Sequence, residues 1–369
     1  PHNDSVFINK IYTINNSLIL EVRKNGLPEI TIFNLITGSQ SDISFEDHAY
    51  DVSLSLNGEK ENLKFNYSYS SLTCPESIYS YDLDKKKSNL LWQKNIVGFE
   101  KADYKDKRLF VEVRDGTKVP VILLSKVDID INNAPILFYG YGSYGINIDA
   151  TFRSSILPLI DRGFVFAIIN IRGGGEMGKQ WYEEGRLLNK MNTFNDFNDV
   201  IKSVLNQNIG DSSKVFARGG SAGGLLMGAI INLEPSLYKG ILSSVPFVDV
   251  LTTMSDPTIP LTTFEYGEWG NPANINEYNY IKEYSPYDNI GNYNYPAVFV
   301  TSSLYDSQVQ YFEPAKYIAK LREYNQSNNN IIMKMNLIGG HGGLSGRLNQ
   351  FKEISEEYSF ILNLAEEDN

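Results

Sequence analysis

Val215-Phe216-Ala217-Arg218-Gly219-Gly220-Ser221-Ala222-Gly223-Gly224 decides the fold. The opening residues read as a buried strand. Gly-x-Ser-x-Gly follows at 219–223, and Ala222 to Ile231 reads as an apolar helix. A serine forced onto a sharp strand-to-helix turn needs small neighbours so that the backbones can approach. The turn lifts the hydroxyl clear of the sheet. It also sets the Ala222 backbone N–H at a helix N-terminus, where it can stabilise an oxyanion. A glycine-rich turn without chemistry would explain a bare five-residue match. The strand before it and the helix after it favour a nucleophile elbow.

Working outward, apolar strands alternate with helical stretches. The strands are Pro135 to Tyr139, Phe164 to Ile171, Val215 to Gly219, Gly240 to Val245, Ala297 to Thr301 and Ile331 to Leu337. Helical patterns cover Phe194 to Leu205, Ala222 to Ile231, Pro314 to Tyr324 and Leu348 to Leu364. Strands apolar on both faces and joined by helices predict an α/β domain with a parallel sheet covered on both sides. Leu109 to Val113 and Val119 to Leu124, joined through Asp115-Gly116, read as a hairpin ahead of it.

A serine nucleophile needs a base, and the chain has three histidines. His2 sits in the terminal tail, and His48 reads as an ordinary loop residue. His341, in Ile338-Gly339-Gly340-His341-Gly342-Gly343, follows the last strand and precedes the C-terminal helix. Flanking glycines suit a histidine on a loop that reaches over a site, so His341 is the candidate base. Asp306 comes five residues after Thr301 and is the candidate that orients the imidazole. The order Ser221, Asp306, His341 is that of α/β-hydrolases.

Residues 1–90 read differently from 91–369. Short β patterns at Ser17 to Arg23, Glu29 to Asn34, Leu63 to Tyr69 and Ser77 to Leu83 are separated by Asn25-Gly26, Thr37-Gly38 and Asn57-Gly58. PEITIFNLITG (28–38) resembles PESIYSYDLDK (75–85), with Pro28 and Pro75 47 residues apart. That period, with several strands per unit, predicts propeller blades; a plain β-meander is the alternative.

Composition narrows the function classes. The 369 residues are 42% hydrophobic and 21% charged, as in a globular protein of about two domains. A net charge of -11 disfavours nucleic acid as a partner and favours cationic ligands. No apolar run reaches the roughly 20 residues of a membrane helix, so no membrane partner is expected. One cysteine, Cys74, excludes an internal disulfide and fits a reducing, cytoplasmic setting. No Cys/His cluster offers a metal site, and no cofactor is expected. Arg172-Gly173-Gly174-Gly175-Glu176 lacks the spacing of a phosphate cradle and reads as a tight loop bracing the site.

Several long segments carry a family resemblance. They are FYGYGSYG (138–145), NIRGGGEMGKQWYEEGR (170–186), GGSAGGLLMGAIIN (219–232), VPFVDVLTTM (245–254), PLTT (260–263), EWGNP (268–272), DSQVQYFEPAKY (306–317) and GGHGGLSGR (339–347). With them the chain resembles the prolyl oligopeptidase family of serine peptidases, most of all its oligopeptidase B branch. The resemblance implies an α/β-hydrolase domain preceded here by the last blades of a β-propeller. Its triad falls on Ser221, Asp306 and His341. It implies Tyr141 as a second oxyanion donor beside the Ala222 N–H. Tyr141 is one of 24 tyrosines, but Gly140 and Gly142 flank it. The branch implies a pocket for Arg or Lys, with Glu265 as the carboxylate and Phe247 and Tyr144 as walls. Carboxylate and aromatic faces suit a flat guanidinium.

Some positions depart from the branch. Gly267 stands where it commonly has a second acid. Asp149 matches a position linked to a basic residue at the next subsite, while Thr151 replaces its acidic neighbour. Gln308 stands where an arginine often holds the substrate carbonyl. The expectation is a serine oligopeptidase hydrolysing short basic peptides through an acyl-enzyme. The alternatives are a proline-directed oligopeptidase, a broad esterase of the same fold, or a catalytically silent binding protein. Family members carry seven blades and an N-terminal segment, so residues 1–90, with about two blades, imply an N-terminally truncated chain. An unclosed propeller then predicts self-association through its open edges.

Overall fold

The computed structural model describes residues 6–55 and 63–366. The first eight strands form two four-stranded antiparallel sheets. One contains β1 (Val6–Ile14), β2 (Ser17–Lys24), β3 (Leu27–Asn34) and β4 (Gln40–Asp42), in that order. The other contains β5 (Tyr50–Ser55), β6 (Lys64–Ser71), β7 (Ser77–Asp82) and β8 (Lys87–Gln93). Pro28 lies in β3 and Pro75 just ahead of β7, so the sequence repeat marks the third strand of each sheet. The two sheets share one apolar cluster, with Ile19, Ile30 and Ile32 on one side and Val52, Phe65 and Tyr67 on the other. Sequence patterning showed β2, β3, β6 and β7 but not β1, β4, β5 and β8. β1 leaves Phe7, Ile8 and Ile11 exposed, and β8 leaves Leu90, Leu91 and Trp92 exposed. Asn57-Gly58 falls outside the described residues.

The remaining strands are β9 (Tyr104–Glu112), β10 (Lys118–Lys126), β11 (Ile136–Tyr139), β12 (Val165–Ile169), β13 (Val215–Gly220), β14 (Gly240–Ser244), β15 (Ala297–Ser303) and β16 (Ile331–Asn336). They make one sheet in the order β16-β15-β14-β13-β11-β12-β10-β9. β11 to β16 pair in parallel. The β9–β10 hairpin joins the edge strand β12 antiparallel, so the sheet is mixed rather than wholly parallel. An antiparallel edge on a parallel sheet is common in this class.

The helices are α1 (Leu157–Ile160), α2 (Lys179–Glu183), α3 (Met191–Asn206), α4 (Ala222–Leu233), α5 (Val250–Ser255), α6 (Thr262–Trp269), α7 (Ile275–Tyr284), α8 (Phe312–Tyr324) and α9 (Arg347–Glu366). Successive strand residues point to opposite faces, and both faces are covered. Ile136, Phe138, Val215 and Ala217 face a core shared with Phe194 and Phe197 of α3 and Leu226 of α4. Leu137, Phe166, Ile168 and Phe216 face a second core with Ile361 and Leu364 of α9. Two apolar faces are why these strands read as unbroken hydrophobic runs. None of the described helices is long and apolar enough to cross a membrane.

Candidate active site

Ser221 joins β13 to α4 with φ 57° and ψ −118°. A non-glycine residue held there costs on the order of 1–3 kcal/mol, so its surroundings must fix it. The Ser221 N–H donates to the Ser244 carbonyl at 2.8 Å. Its own carbonyl accepts from Gly224 at 2.8 Å and Phe247 at 3.2 Å. A Cβ at Gly219 would stand 2.2 Å from the Gly223 carbonyl oxygen, and one at Gly224 would stand 2.4 Å from Pro246 Cβ. Those glycines are therefore demanded by close approach. Ala222 is the first residue of α4, so its N–H has no intrahelical acceptor.

Asp306 and His341 meet from two loops. Asp306 follows β15 and is buried; His341 lies between β16 and α9. His341 Nδ1 is 2.7 Å from Asp306 Oδ2. Asp306 Oδ1 accepts from the amides of Gln308 and Val309, each at 2.9 Å. Burial disfavours the Asp306 carboxylate. Hydrogen bonds from His341, Val309 and Gln308 outweigh that and hold its carboxyl below the usual range. An ionised carboxylate only accepts, so Nδ1 carries the proton and Nε2 is left as a base. Ser221 and His341 are not hydrogen-bonded to each other in this structure; such bonds often tighten only when substrate is bound.

The Ser221 hydroxyl lies close enough to the Tyr141 phenol to act on its ionisation. Burial, then the neighbouring Tyr139, Glu268 and Glu265, push that phenol up to about 12. A phenol that keeps its proton can donate to an oxyanion. Tyr141 follows β11 on a loop whose Gly142 has φ +67°, with Thr193 Cγ2 only 2.6 Å from where a Cβ would stand.

Ser221 and Ala222 open onto a cleft lined by Tyr144, Phe247, Thr253, Glu265, Trp269 and Gln308. Glu265 Oε2 accepts from the Tyr144 hydroxyl at 2.7 Å and from Trp269 Nε1 at 3.0 Å. The Tyr144 and Trp269 rings meet edge to face at 5.6 Å, and Phe247 lies 5.3 Å from Trp269. The cleft is thus an aromatic slot with one carboxylate. Gly267 is exposed, and a Cβ there would meet nothing within 4 Å. Glu268 points elsewhere: it is buried, accepting from the Tyr144 N–H at 2.8 Å and the Tyr182 hydroxyl at 2.5 Å.

Asp149 is already engaged. Arg23 of β2 donates to both its oxygens, each at 2.8 Å. That bidentate pair ties the first four-stranded sheet to the loop after β11. His48 is exposed, 3.4 Å from Asp106 and apart from the cleft residues; His2 lies outside the described residues.

The Arg172–Glu176 loop braces from behind. Arg172 pairs with buried Asp196 through Nη2 at 2.6 Å. Glu176 Oε1 accepts from the Ile148 N–H at 2.8 Å and Asn170 Nδ2 at 3.0 Å, while its buried Oε2 has no partner. Burial, against the bond from Ile148, pushes the Glu176 carboxyl up to about 7. The unfolded chain therefore releases this proton first as pH rises, and stability falls between about 4.5 and 7. Glu176→Gln escapes that loss. Denaturant melts at pH 5 and pH 8 should show the variant gaining on the wild type at the higher pH. An equal difference at both pH values would contradict the assignment.

Comparison with known proteins identifies the family. Residues 150–368 match the prolyl oligopeptidase family. Residues 1–94 match the N-terminal beta-propeller domain of prolyl oligopeptidase. The chain belongs to the prolyl oligopeptidase family. Dipeptidyl aminopeptidase BI of Pseudoxanthomonas mexicana is 44% identical over 98% of this chain and 50% of its own length. Protease 2 of Moraxella lacunata is 40% identical over 98% of this chain and 52% of its own. Among solved structures, oligopeptidase B from Leishmania major superposes with a TM-score of 0.91 at 37% identity, covering 99% of this chain and 52% of that one. Oligopeptidase B from Trypanosoma brucei with covalently bound antipain, in its closed form, gives 0.91 at 36%, covering 99% of this chain and 53% of that one. The chain thus spans about half the length of the curated relatives it matches.

In this prolyl oligopeptidase family member the sequence overlooked Trp269. It stands four residues after Glu265 on α6, the spacing that puts two side chains on one helical face. Lys190, buried just ahead of α3 with its ammonium on the Gly142 carbonyl, was also missed, because a buried charge leaves no local pattern.

Proposed function

We propose that the chain is a serine oligopeptidase that hydrolyses short peptides after arginine or lysine. Ser221 Oγ attacks the scissile carbonyl carbon, and His341 Nε2 takes the hydroxyl proton. The oxyanion is held by the Ala222 N–H and the Tyr141 hydroxyl. Collapse breaks the C–N bond, and His341 returns the proton to the leaving amine. Water, deprotonated by His341, then hydrolyses the acyl-enzyme. Asp306 keeps the imidazole in the needed tautomer throughout. Gln308, at the cleft, offers an uncharged amide to the peptide. Asp149, held by Arg23, does not stand free for a second basic residue.

One observation carries the basic preference. Glu265 sits in the aromatic slot beside Ser221, and both of its bonds among the described residues fall on Oε2. Oε1 is left for an incoming guanidinium or ammonium. The assay compares fluorogenic peptides ending in Arg, Lys, Pro or a neutral residue, each with free and blocked amino termini. Preference for Arg and Lys supports the reading; preference for Pro would sink it. Activity only with a free amino terminus two residues upstream would instead make the chain a dipeptidyl peptidase. Glu265→Gln is expected to lower kcat/KM on Arg peptides by about 10–100-fold, the worth of one charge-assisted bond, and on a neutral ester by less than about threefold. Equal losses would remove Glu265 from specificity.

A further inference from the structure

Lys190, just ahead of α3, is 1% exposed. No carboxylate is in contact with its ammonium among the described residues. A buried ammonium is costly unless its protons are well placed. It donates to the Gly142 carbonyl at 2.6 Å and to the Ser143 hydroxyl at 2.9 Å. It also stands 5.1 Å from the Trp269 ring centre and 5.9 Å from that of Phe194. Both hydrogen bonds go to the loop that carries Tyr141 and Tyr144. From another side buried Glu268 accepts the Tyr144 N–H. A cation on the Gly142 carbonyl and an anion on the Tyr144 amide hold the same short stretch through opposite backbone dipoles. Neither charge lines the cleft.

We propose that Lys190 is a positioning residue: it fixes the Gly140–Gly145 loop so that the Tyr141 hydroxyl and the Tyr144 ring stand together at Ser221. This rests on the peptidase reading above. Lys190→Met keeps the length of the side chain and removes its donors. It should lower kcat by about 10–100-fold, less than the roughly 10²–10³-fold for removing an oxyanion donor outright, with KM changed less than about threefold. In a Tyr141→Phe background the same substitution should cost less than about threefold, because the donor that Lys190 places is gone. Hydrogen exchange should quicken at the amides of 141–146 and stay unchanged in β13. Ser143→Ala removes one of the two bonds without emptying the buried site. It should show the same non-additivity at smaller size, and it carries the test if Lys190→Met does not fold. Losses that multiply in full with Tyr141→Phe, or unaltered exchange of the loop, would overturn the proposal. A wild-type chain that hydrolyses no peptide or ester would sink the peptidase reading instead, and the exchange result alone would then decide whether Lys190 fixes the loop.

Discussion

Replacing Ser221 with alanine is expected to lower kcat/KM for every substrate by about 10⁴–10⁶-fold, the loss seen when a triad nucleophile is removed. The oxyanion donors and the aromatic slot remain, so peptide should bind with little change. Thermal stability should also hardly move. Alanine keeps the Cβ, and the backbone is held at φ 57° by the bonds to Ser244, Gly224 and Phe247. Glycine at 221 should be equally inactive yet more stable by about 1 kcal/mol, since it tolerates that φ without strain. Activity, inhibitor binding and melting temperature, measured on all three proteins, separate the roles. Substantial hydrolysis by the alanine variant would mean that another group attacks the carbonyl.

Asp306→Asn is the second large effect, about 10³–10⁴-fold in kcat with KM nearly unchanged. The geometry gives the reason. Oδ1 accepts two backbone amides, from Gln308 and Val309, so that position must stay an acceptor. The asparagine oxygen therefore takes it, and the amide NH₂ is turned towards His341. An NH₂ there donates to Nδ1, which moves the imidazole proton to Nε2. His341 then offers an N–H where Ser221 needs a base. The loop stays in place because both amide bonds survive. Asp306→Ala loses those bonds as well and should be both inactive and less stable. An asparagine variant within tenfold of the wild type would show that the His341–Asp306 contact does not set the tautomer.

Much of this was legible in the sequence for local reasons. Gly219, Ser221 and Gly223 announce the elbow because only small residues allow the turn. β11 to β15 were legible because residues buried on both faces leave long apolar runs. The third strands of the two small sheets repeat visibly around Pro28 and Pro75. β1, β4, β5 and β8 were not legible. All four lie at the margins of their sheets, and β4 and β8 leave residues such as Gln40 and Leu90 exposed. α1, α2 and α5 to α7 were missed because none exceeds 10 residues, too few turns for a helical period to show. Pairings distant in sequence could not be read at all: Arg23 with Asp149, Lys190 with Gly142, and Trp269 with Phe247 exist only once the chain is folded. The hairpin was seen, but not that it extends the sheet beside β12.

The most direct test of the account is mass spectrometry of the chain after reaction with an organophosphonate. One adduct per chain, on the peptide containing Ser221 and lost in His341→Ala, is the result predicted by an elbow serine activated by that histidine. No adduct on the folded chain, or one on a different serine, would contradict it.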